Sequence, residues 1–96
     1  MIVIGDDKMN GLYPIGTIVL LKNSTKRILI IGYLPQEYNS STMYDYSGVP
    51  FPEGLVDSRK ILLFNHVQID KVCHESIKDE ETSIFMKQVM KIKENG

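Results

Sequence analysis

The chain has 96 residues, of which 43% are hydrophobic and 24% charged, and its formal net charge at pH 7 is −1. This length and composition predict one globular domain and exclude a disordered chain. The nearly neutral charge disfavours a protein that binds nucleic acid by neutralising phosphates. We expect a single domain over residues 1–96, with an N-terminal extension over 1–12, a β-rich core over 13–76 and a C-terminal helix over 77–95.

The N-terminal residues do not resemble a signal peptide, because they carry no basic segment and only a short apolar run follows Met1. No apolar run approaches the roughly 20 residues that span a bilayer. The single cysteine, Cys73, cannot form an intramolecular disulfide. We therefore expect a cytoplasmic protein without membrane insertion.

Two β-branched runs predict an antiparallel hairpin near the N-terminus. They occupy residues 16–22 and 26–33, and the turn residues between them, 23–25, have hairpin spacing. Residues 28–31 are apolar throughout, so we expect both faces of this second strand to be covered.

Three shorter strands follow, predicted near residues 43–46, 60–64 and 71–74. Before the last of them, Asn65 resembles the N-cap of a single helical turn over 66–69. Five short strands with one helical turn before the last are typical of an SH3-like barrel. The predicted fold class is α+β: a small SH3-like, strongly bent antiparallel sheet or partial barrel of about five strands with a C-terminal helix.

The C-terminal segment predicts an amphipathic helix, with acidic residues in its first turn and lysines toward its end, as the helix dipole favours. Its apolar residues span an arc of about 160°, with Ile84 outside it. We expect the helix to pack on its own sheet. The alternative is that Met86, Met90 or Ile84 contacts a partner.

Residues 45–54 predict a rigid aromatic loop, because two prolines and two glycines accompany Tyr46 and Phe51. Such a loop suits partner binding, with aromatic contacts and a polar rim. An equal alternative is that Tyr46 and Phe51 fold onto the thin core. The candidate partner-binding residues of the chain are Tyr44, Asp45, Tyr46, Phe51, Pro52, Glu53, Met86 and Met90.

Neither a catalytic nor a metal site is predicted. Cys73 and His74 are neighbours in a strand and point to opposite faces, so of the two histidines only His66 could activate the thiol. One cysteine with two histidines lacks the four ligands of a zinc site. Asp45, Asp57, Asp70 and Glu53 show no spacing that pairs them. We expect no cofactor and a buried Cys73.

An RNA-binding surface is the alternative from another class. It would combine basic residues near the hairpin with tyrosines that stack on bases. The acidic residues of the chain balance these positive charges, which disfavours the RNA-binding hypothesis. The residues concerned are Lys22, Lys26, Arg27, Arg59, Lys60, Tyr33, Tyr38, Tyr44 and Tyr46.

Four motifs in a fixed order resemble one family, the small bacterial proteins grouped as domain of unknown function 4176. They are YPIGTIVLLK at 13–22, IIGY at 30–33, DYSGVPFPEG at 45–54, and LFNH at 63–66 with IDKV at 69–72. The resemblance covers roughly residues 13–90, and Val49 is a harmless departure from it.

The resemblance implies a function linked to secretion, because such proteins are encoded beside type VII secretion genes and toxins with a helical LXG targeting domain. It suggests a non-enzymatic accessory protein, in the simplest case a cytoplasmic chaperone or adaptor that binds the toxin before export. The alternatives are a toxin immunity protein and a small-barrel module that binds RNA or a ligand. The resemblance implies no catalytic residues.

Overall fold

The computed structural model describes residues 11–37 and 41–95. They form one open, five-stranded antiparallel sheet with one α-helix, so the predicted α+β class is confirmed. The strand order is β4-β3-β2-β1-β5. The elements in chain order are β1 (Ile18–Leu21), β2 (Arg27–Tyr33), β3 (Tyr46–Pro50), β4 (Leu62–Phe64), β5 (Ile69–His74) and α1 (Glu80–Asn95).

Two 3₁₀ turns lie beside the last strands, one at Ser58–Lys60 before β4 and one at His66–Gln68 before β5. The second is the helical turn that the sequence predicts, and Asn65 is its N-cap residue. After this turn, β5 returns to pair with β1 at the far side of the sheet. Strand order and turn together are those expected of an SH3-like arrangement.

The predicted hairpin is confirmed by the pairing of β1 with β2, in which Val19 lies opposite Ile28. Asn23 adopts φ 63° in the turn, a conformation that asparagine tolerates well. The expectation that residues 28–31 are covered on both faces is wrong in part. Ile28 and Ile30 are buried, but Ile31 is exposed at an irregularity in the pairing of β2 with β3.

Half of the predicted rigid loop is a strand, because Tyr46–Pro50 forms β3 between β2 and β4. The third strand thus begins later than the predicted 43–46. Gly48 serves close packing here, since a Cβ atom would lie 2.6 Å from Ile28 Cγ2 and 2.9 Å from the Leu29 carbonyl oxygen. The glycine therefore lets two strands approach each other and does not mark a turn.

The helix α1 begins at Glu80, three residues later than the predicted start at 77. Asp79 caps it, because its Oδ1 accepts a hydrogen bond of 2.9 Å from the Thr82 N–H. That bond lowers the pKa of the Asp79 carboxyl. Upstream of the helix, the Ser76 N–H donates to the buried Thr17 Oγ1 at 3.2 Å, which ties this segment to the start of β1.

The core lies between the sheet and α1, which contributes Met86 and Val89. Leu12, which the sequence assigns to the extension, is buried in this core. The other members come from the three central strands and from β4, so burial is concentrated where β2 and β3 meet. The remaining core residues are Val19, Ile28, Ile30, Tyr46 and Phe64.

Candidate partner-binding surfaces

Tyr46 lies in the core and not on a binding loop. Its side chain is fully buried and its ring stacks on Phe64 with centroids 5.3 Å apart. Its hydroxyl oxygen accepts a hydrogen bond of 3.0 Å from the Tyr13 N–H and lies 2.6 Å from His66 Nδ1. The candidate role of Tyr46 as a partner contact is thereby corrected, since a side chain inside the sheet cannot meet a partner in this fold.

Asp45 connects three elements, so its side chain is not a free polar group at the rim of a binding loop. Its Oδ2 accepts from the His66 N–H at 2.8 Å, and its Oδ1 pairs with Lys93 of α1 at 3.1 Å. Its own N–H donates to Asn65 Oδ1 at 3.1 Å. Only 13% of its side-chain surface is exposed. Asp45 therefore holds the second 3₁₀ turn and α1 against the start of β3.

The cluster of Asp45, His66 and Tyr46 resembles an acid, base and nucleophile set but has the wrong geometry for one. Asp45 accepts from the His66 backbone, and not from its ring. Burial raises the pKa of the Tyr46 phenol and lowers the pKa of the His66 imidazole. A nucleophile needs access to substrate and a lowered pKa. This arrangement instead satisfies buried polar groups.

Cys73 is exposed, so the expectation that it is buried is wrong. The reason is the geometry of the edge strand β5, which turns Ile69 and Val72 toward the core and leaves Cys73 outside. Within the described part of the chain, no three His, Cys, Asp or Glu side chains are grouped in a way that could hold a metal ion.

The segment that follows β3 is held at several points. The Phe51 N–H donates to the Arg27 carbonyl oxygen at 2.9 Å, and the Arg27 guanidinium lies 4.9 Å above the Phe51 ring. The Gly54 N–H donates to the Pro50 carbonyl oxygen at 2.7 Å. Phe51 is thus half-buried against the hairpin. The rigid part of the predicted loop is therefore its second half, which follows β3.

Two ion pairs flank the same segment. Lys26 Nζ donates to Glu53 Oε2 at 2.7 Å, and this bond lowers the pKa of the Glu53 carboxyl. Asp57 accepts from Arg59 through both the backbone and the guanidinium. Both pairs are exposed, so they orient the chain more than they stabilise it. Pro52 and Glu53 are exposed.

Leu55 and Val56 are the exposed apolar residues that this segment presents, with 60% and 76% of their surface accessible. They border a groove of about 290 Å³, here called the loop groove, whose other lining residues are Lys26, Val49, Pro50, Glu53, Gly54, Asp57 and Lys60. Sequence reasoning missed Leu55 and Val56. The signal available in the sequence was a pair of adjacent apolar residues that follows a turn glycine and belongs to no strand pattern.

Lys60 gives the loop groove an unpaired positive charge. Lys26, Glu53 and Asp57 are neutralised by ion pairs, whereas Lys60 forms none with any residue in 11–37 or 41–95. Lys60 is therefore the charged group of this groove that is available to a carboxylate.

A second apolar surface lies along one flank of α1, beside the end of β2, where the Phe85 ring lies 6.0 Å from that of Tyr33. Met86 is buried and Met90 packs against the core, so these two candidate residues belong mainly to the fold. In contrast, Ile84, Phe85 and Ile92 have 53%, 49% and 58% of their surface exposed. We call Ile84, Phe85, Gln88 and Ile92 the helix face. Adjoining grooves are lined by Ile15, Met43 and Ile77.

The tyrosines do not form a surface on which bases could stack. Tyr46 is buried, and the half-buried Tyr33 donates its hydroxyl to the Tyr13 carbonyl oxygen at 2.7 Å. Tyr38 lies outside the described residues. Tyr44 is half-buried, with its N–H bonded to the Pro35 carbonyl oxygen. Nucleic-acid binding therefore gains no support from these side chains.

Comparison with known proteins identifies a family and nothing more specific. The family model described as Domain of unknown function (DUF4176) matches residues 12–85, which is more than half of the chain. No curated protein and no solved structure matches this chain. None of the helices in the described ranges has the length and apolar character needed to cross a bilayer.

Proposed function

This chain belongs to the DUF4176 family, and we propose that it is a non-enzymatic accessory protein that binds another protein through the loop groove. The observation that carries the proposal is the exposure of Leu55 and Val56 on a segment held at both ends. Solvent-exposed leucine and valine side chains next to each other, above an apolar floor of Val49 and Pro50, are typical of a contact surface.

The fixed geometry of the segment favours binding. Backbone hydrogen bonds at Phe51 and Gly54 and the Arg27 contact already order it in the free protein. A partner therefore meets an apolar surface whose conformational entropy has largely been lost on folding. Lys60 adds a charge at the rim that selects an apolar segment with a nearby carboxylate.

The client in this proposal is a toxin exported by a type VII secretion system, and the protein is its chaperone or adaptor. This part rests on the family resemblance and on the chemistry of chaperones, which cover apolar segments of a client before export. The cytoplasmic location belongs to the same proposal, because a chaperone of this kind meets its client before export. Phe51, Pro52 and Glu53 remain candidate contacts beside Leu55 and Val56.

The test is co-expression with the toxin encoded beside the gene, followed by affinity purification and measurement of the dissociation constant. We expect a complex that the double variant Leu55→Ser, Val56→Ser weakens by at least about tenfold, since truncated apolar anchors commonly cost more than 1 kcal/mol each. Val67→Ser is the matched control, because Val67 is 65% exposed on the second 3₁₀ turn.

A charge variant tests the chemistry of the client. Lys60→Glu should weaken the complex further as salt is lowered, because it places like charges together. Lys71→Glu makes the same charge change on the edge strand β5 and should leave binding unaltered. Wild-type affinity in the Leu55→Ser, Val56→Ser variant, with the toxin still bound, would overturn the proposed site. Failure of every neighbouring toxin to bind would overturn the proposed function.

A further inference from the structure

The strand β4 lies at one edge of the sheet, and the hydrogen bonds of its neighbours fix the direction of its backbone. Among the described strands it pairs with β3 alone. The Phe51 N–H donates to the Arg27 carbonyl oxygen across β3 and β2. Because hydrogen-bonded pairs alternate along an antiparallel ladder, the backbone of Val49 also points to β2, and that of Gly48 points to β4.

The backbone of Ile61 and Leu63 therefore points to the open side of the sheet. Gly48 lies opposite Leu62, which bonds to β3, and the next residue, Leu63, directs its N–H and C=O outward. Ile61 precedes the strand in an extended conformation, with φ −71° and ψ 131°, so its backbone points the same way. No hydrogen bond joins these outward groups to any other part of the chain that the structure describes. Two donors and two acceptors with the spacing of a β-ladder thus face solvent.

The opposite edge of the sheet, β5, has features that discourage pairing with a further strand. Its register with β1 shifts at Cys73, which lies opposite no residue of β1. The exposed side chains of Asp70 and Lys71 place charges on the same strand. Irregularities and charges of this kind keep an edge from adding a strand. In contrast, residues 61–64 are all apolar and pair with β3 in regular register, so β4 is the edge suited to addition.

The loop groove adjoins this open edge. Leu63 lies opposite Ser47, and Val49 is on the same face of the sheet as Ser47 because the two are two residues apart. Val49 and Lys60 both line the loop groove, and Lys60 directly precedes Ile61. A strand added to β4 lies about 4.8 Å from it and presents every second side chain on the face that carries the groove.

We infer that the client binds as an extended segment that adds a strand to the outer edge of β4 and places alternate apolar side chains in the loop groove. The inference rests on the proposed function, because it specifies the conformation of the client at the same site. Backbone hydrogen bonds hold such a segment, and the groove selects its side chains. A helical segment satisfies its own backbone and leaves Ile61 and Leu63 without partners.

The test is amide hydrogen exchange, followed by NMR, of the full chain alone and in complex with the co-expressed toxin. In the free protein the Ile61 and Leu63 amides should exchange at least about tenfold faster than those of Leu62 and Phe64, which bond to β3. In the complex, the exchange of the Ile61 and Leu63 amides should slow by at least about tenfold. The amides of β5 are the control and should keep their rates.

A proline variant tests the outward donor. Leu63→Pro removes an N–H that takes no part in the pairing of β4 with β3, and it should weaken the toxin complex by at least about tenfold. Leu63→Ala keeps the N–H and is the matched control, with an expected loss below about threefold. Circular dichroism melts confirm that both variants fold. If Leu63→Pro does not fold, the exchange measurement on the wild-type complex decides.

Two results would overturn strand addition and leave the proposed function intact. One is a toxin complex in which the Ile61 and Leu63 amides exchange as fast as in the free protein. The other is a folded Leu63→Pro variant that binds the toxin with wild-type affinity, while the Leu55→Ser, Val56→Ser variant does not. Failure of every neighbouring toxin to bind would overturn the proposed function, and this inference with it.

Discussion

The hydroxyl oxygen of Tyr46 lies 2.6 Å from His66 Nδ1, and this contact sets the protonation state of the imidazole. The hydroxyl already accepts a hydrogen bond from the Tyr13 N–H, so its own proton needs an acceptor inside the core. Nδ1 supplies the lone pair. His66 is therefore neutral, with its proton on Nε2, and the second 3₁₀ turn is joined to the centre of the sheet.

Removing this hydroxyl should destabilise the fold. In Tyr46→Phe the Tyr13 N–H and His66 Nδ1 both lose their partner inside the protein, and we expect the free energy of unfolding to fall by about 1–3 kcal/mol. Urea denaturation followed by circular dichroism measures it. Tyr44→Phe is the control, because the Tyr44 hydroxyl has no hydrogen bond with a described residue. This substitution should change the free energy of unfolding by no more than about 0.5 kcal/mol. Equal effects of the two substitutions would contradict the role of the Tyr46 hydroxyl.

The stability of the protein should fall as the pH is lowered from about 7 to 5. Burial is the main cause of the lowered pKa of His66, with Lys93 acting in the same direction and Asp45 against it. The unfolded chain then binds a proton near its ordinary value of about 6.5, before the folded protein does. The stabilisation is complete above that pH and is lost progressively below it.

Thermal melts across this pH range are the measurement. In His66→Gln the slope between pH 7 and 5 should be much reduced, although the overall stability is lower. His74→Gln removes the other histidine, which is exposed on β5, and should keep the wild-type slope. A wild-type melting temperature that does not change over this range would contradict the neutral state of His66.

Replacing Asp45 should loosen both the second 3₁₀ turn and α1. In Asp45→Ala the His66 N–H and the Lys93 ammonium lose a partly buried acceptor, and we expect a loss of about 1–3 kcal/mol in the free energy of unfolding. Asp70→Ala, an exposed site on β5, should change it by less than about 0.5 kcal/mol. Hydrogen exchange should locate the faster amides at 66–68 and in the last turns of α1. If exchange became faster only outside these two regions, this connecting role of Asp45 would be excluded.

The two sides of α1 should respond differently to truncation. Met86→Ala removes a side chain that is 5% exposed, and we expect it to destabilise the fold by about 2–5 kcal/mol. Ile84→Ala, on the helix face, should change monomer stability by less than about 1 kcal/mol, since alanine favours the helix and little packing is lost. Chemical denaturation at low protein concentration measures both. Comparable losses would mean that the helix face is buried in the monomer.

Several features of this protein follow from local sequence. The β-branched runs with turn residues between them predicted the β1–β2 hairpin, because strand pairing across a short turn is a local matter. Asn65 before an apolar turn predicted the second 3₁₀ turn. Asp79 and the acidic residues after it predicted the start of α1 to within three residues of its observed position. The motif order also identified the family.

The location of the candidate binding residues depended on tertiary structure. Tyr46 and Phe51 lie in one aromatic segment, yet Tyr46 is inside the sheet and Phe51 is half-buried beside Arg27. Strand direction and register decide which side chains point inward, and an irregularity such as that near Ile31 shifts the alternation. Sequence periodicity cannot report such a shift.

The sequence by itself determined the β1–β2 hairpin, the turn before β5, the capped helix and the breadth of its apolar stripe, since these depend on residues close together in the chain. Only the tertiary structure decided that Tyr46 and Asp45 belong to an internal network, that Cys73 is exposed, and that Leu55, Val56 and the helix face remain uncovered. Burial is a property of pairs of surfaces distant in sequence, and the amount of sheet available to cover α1 is set by the whole fold.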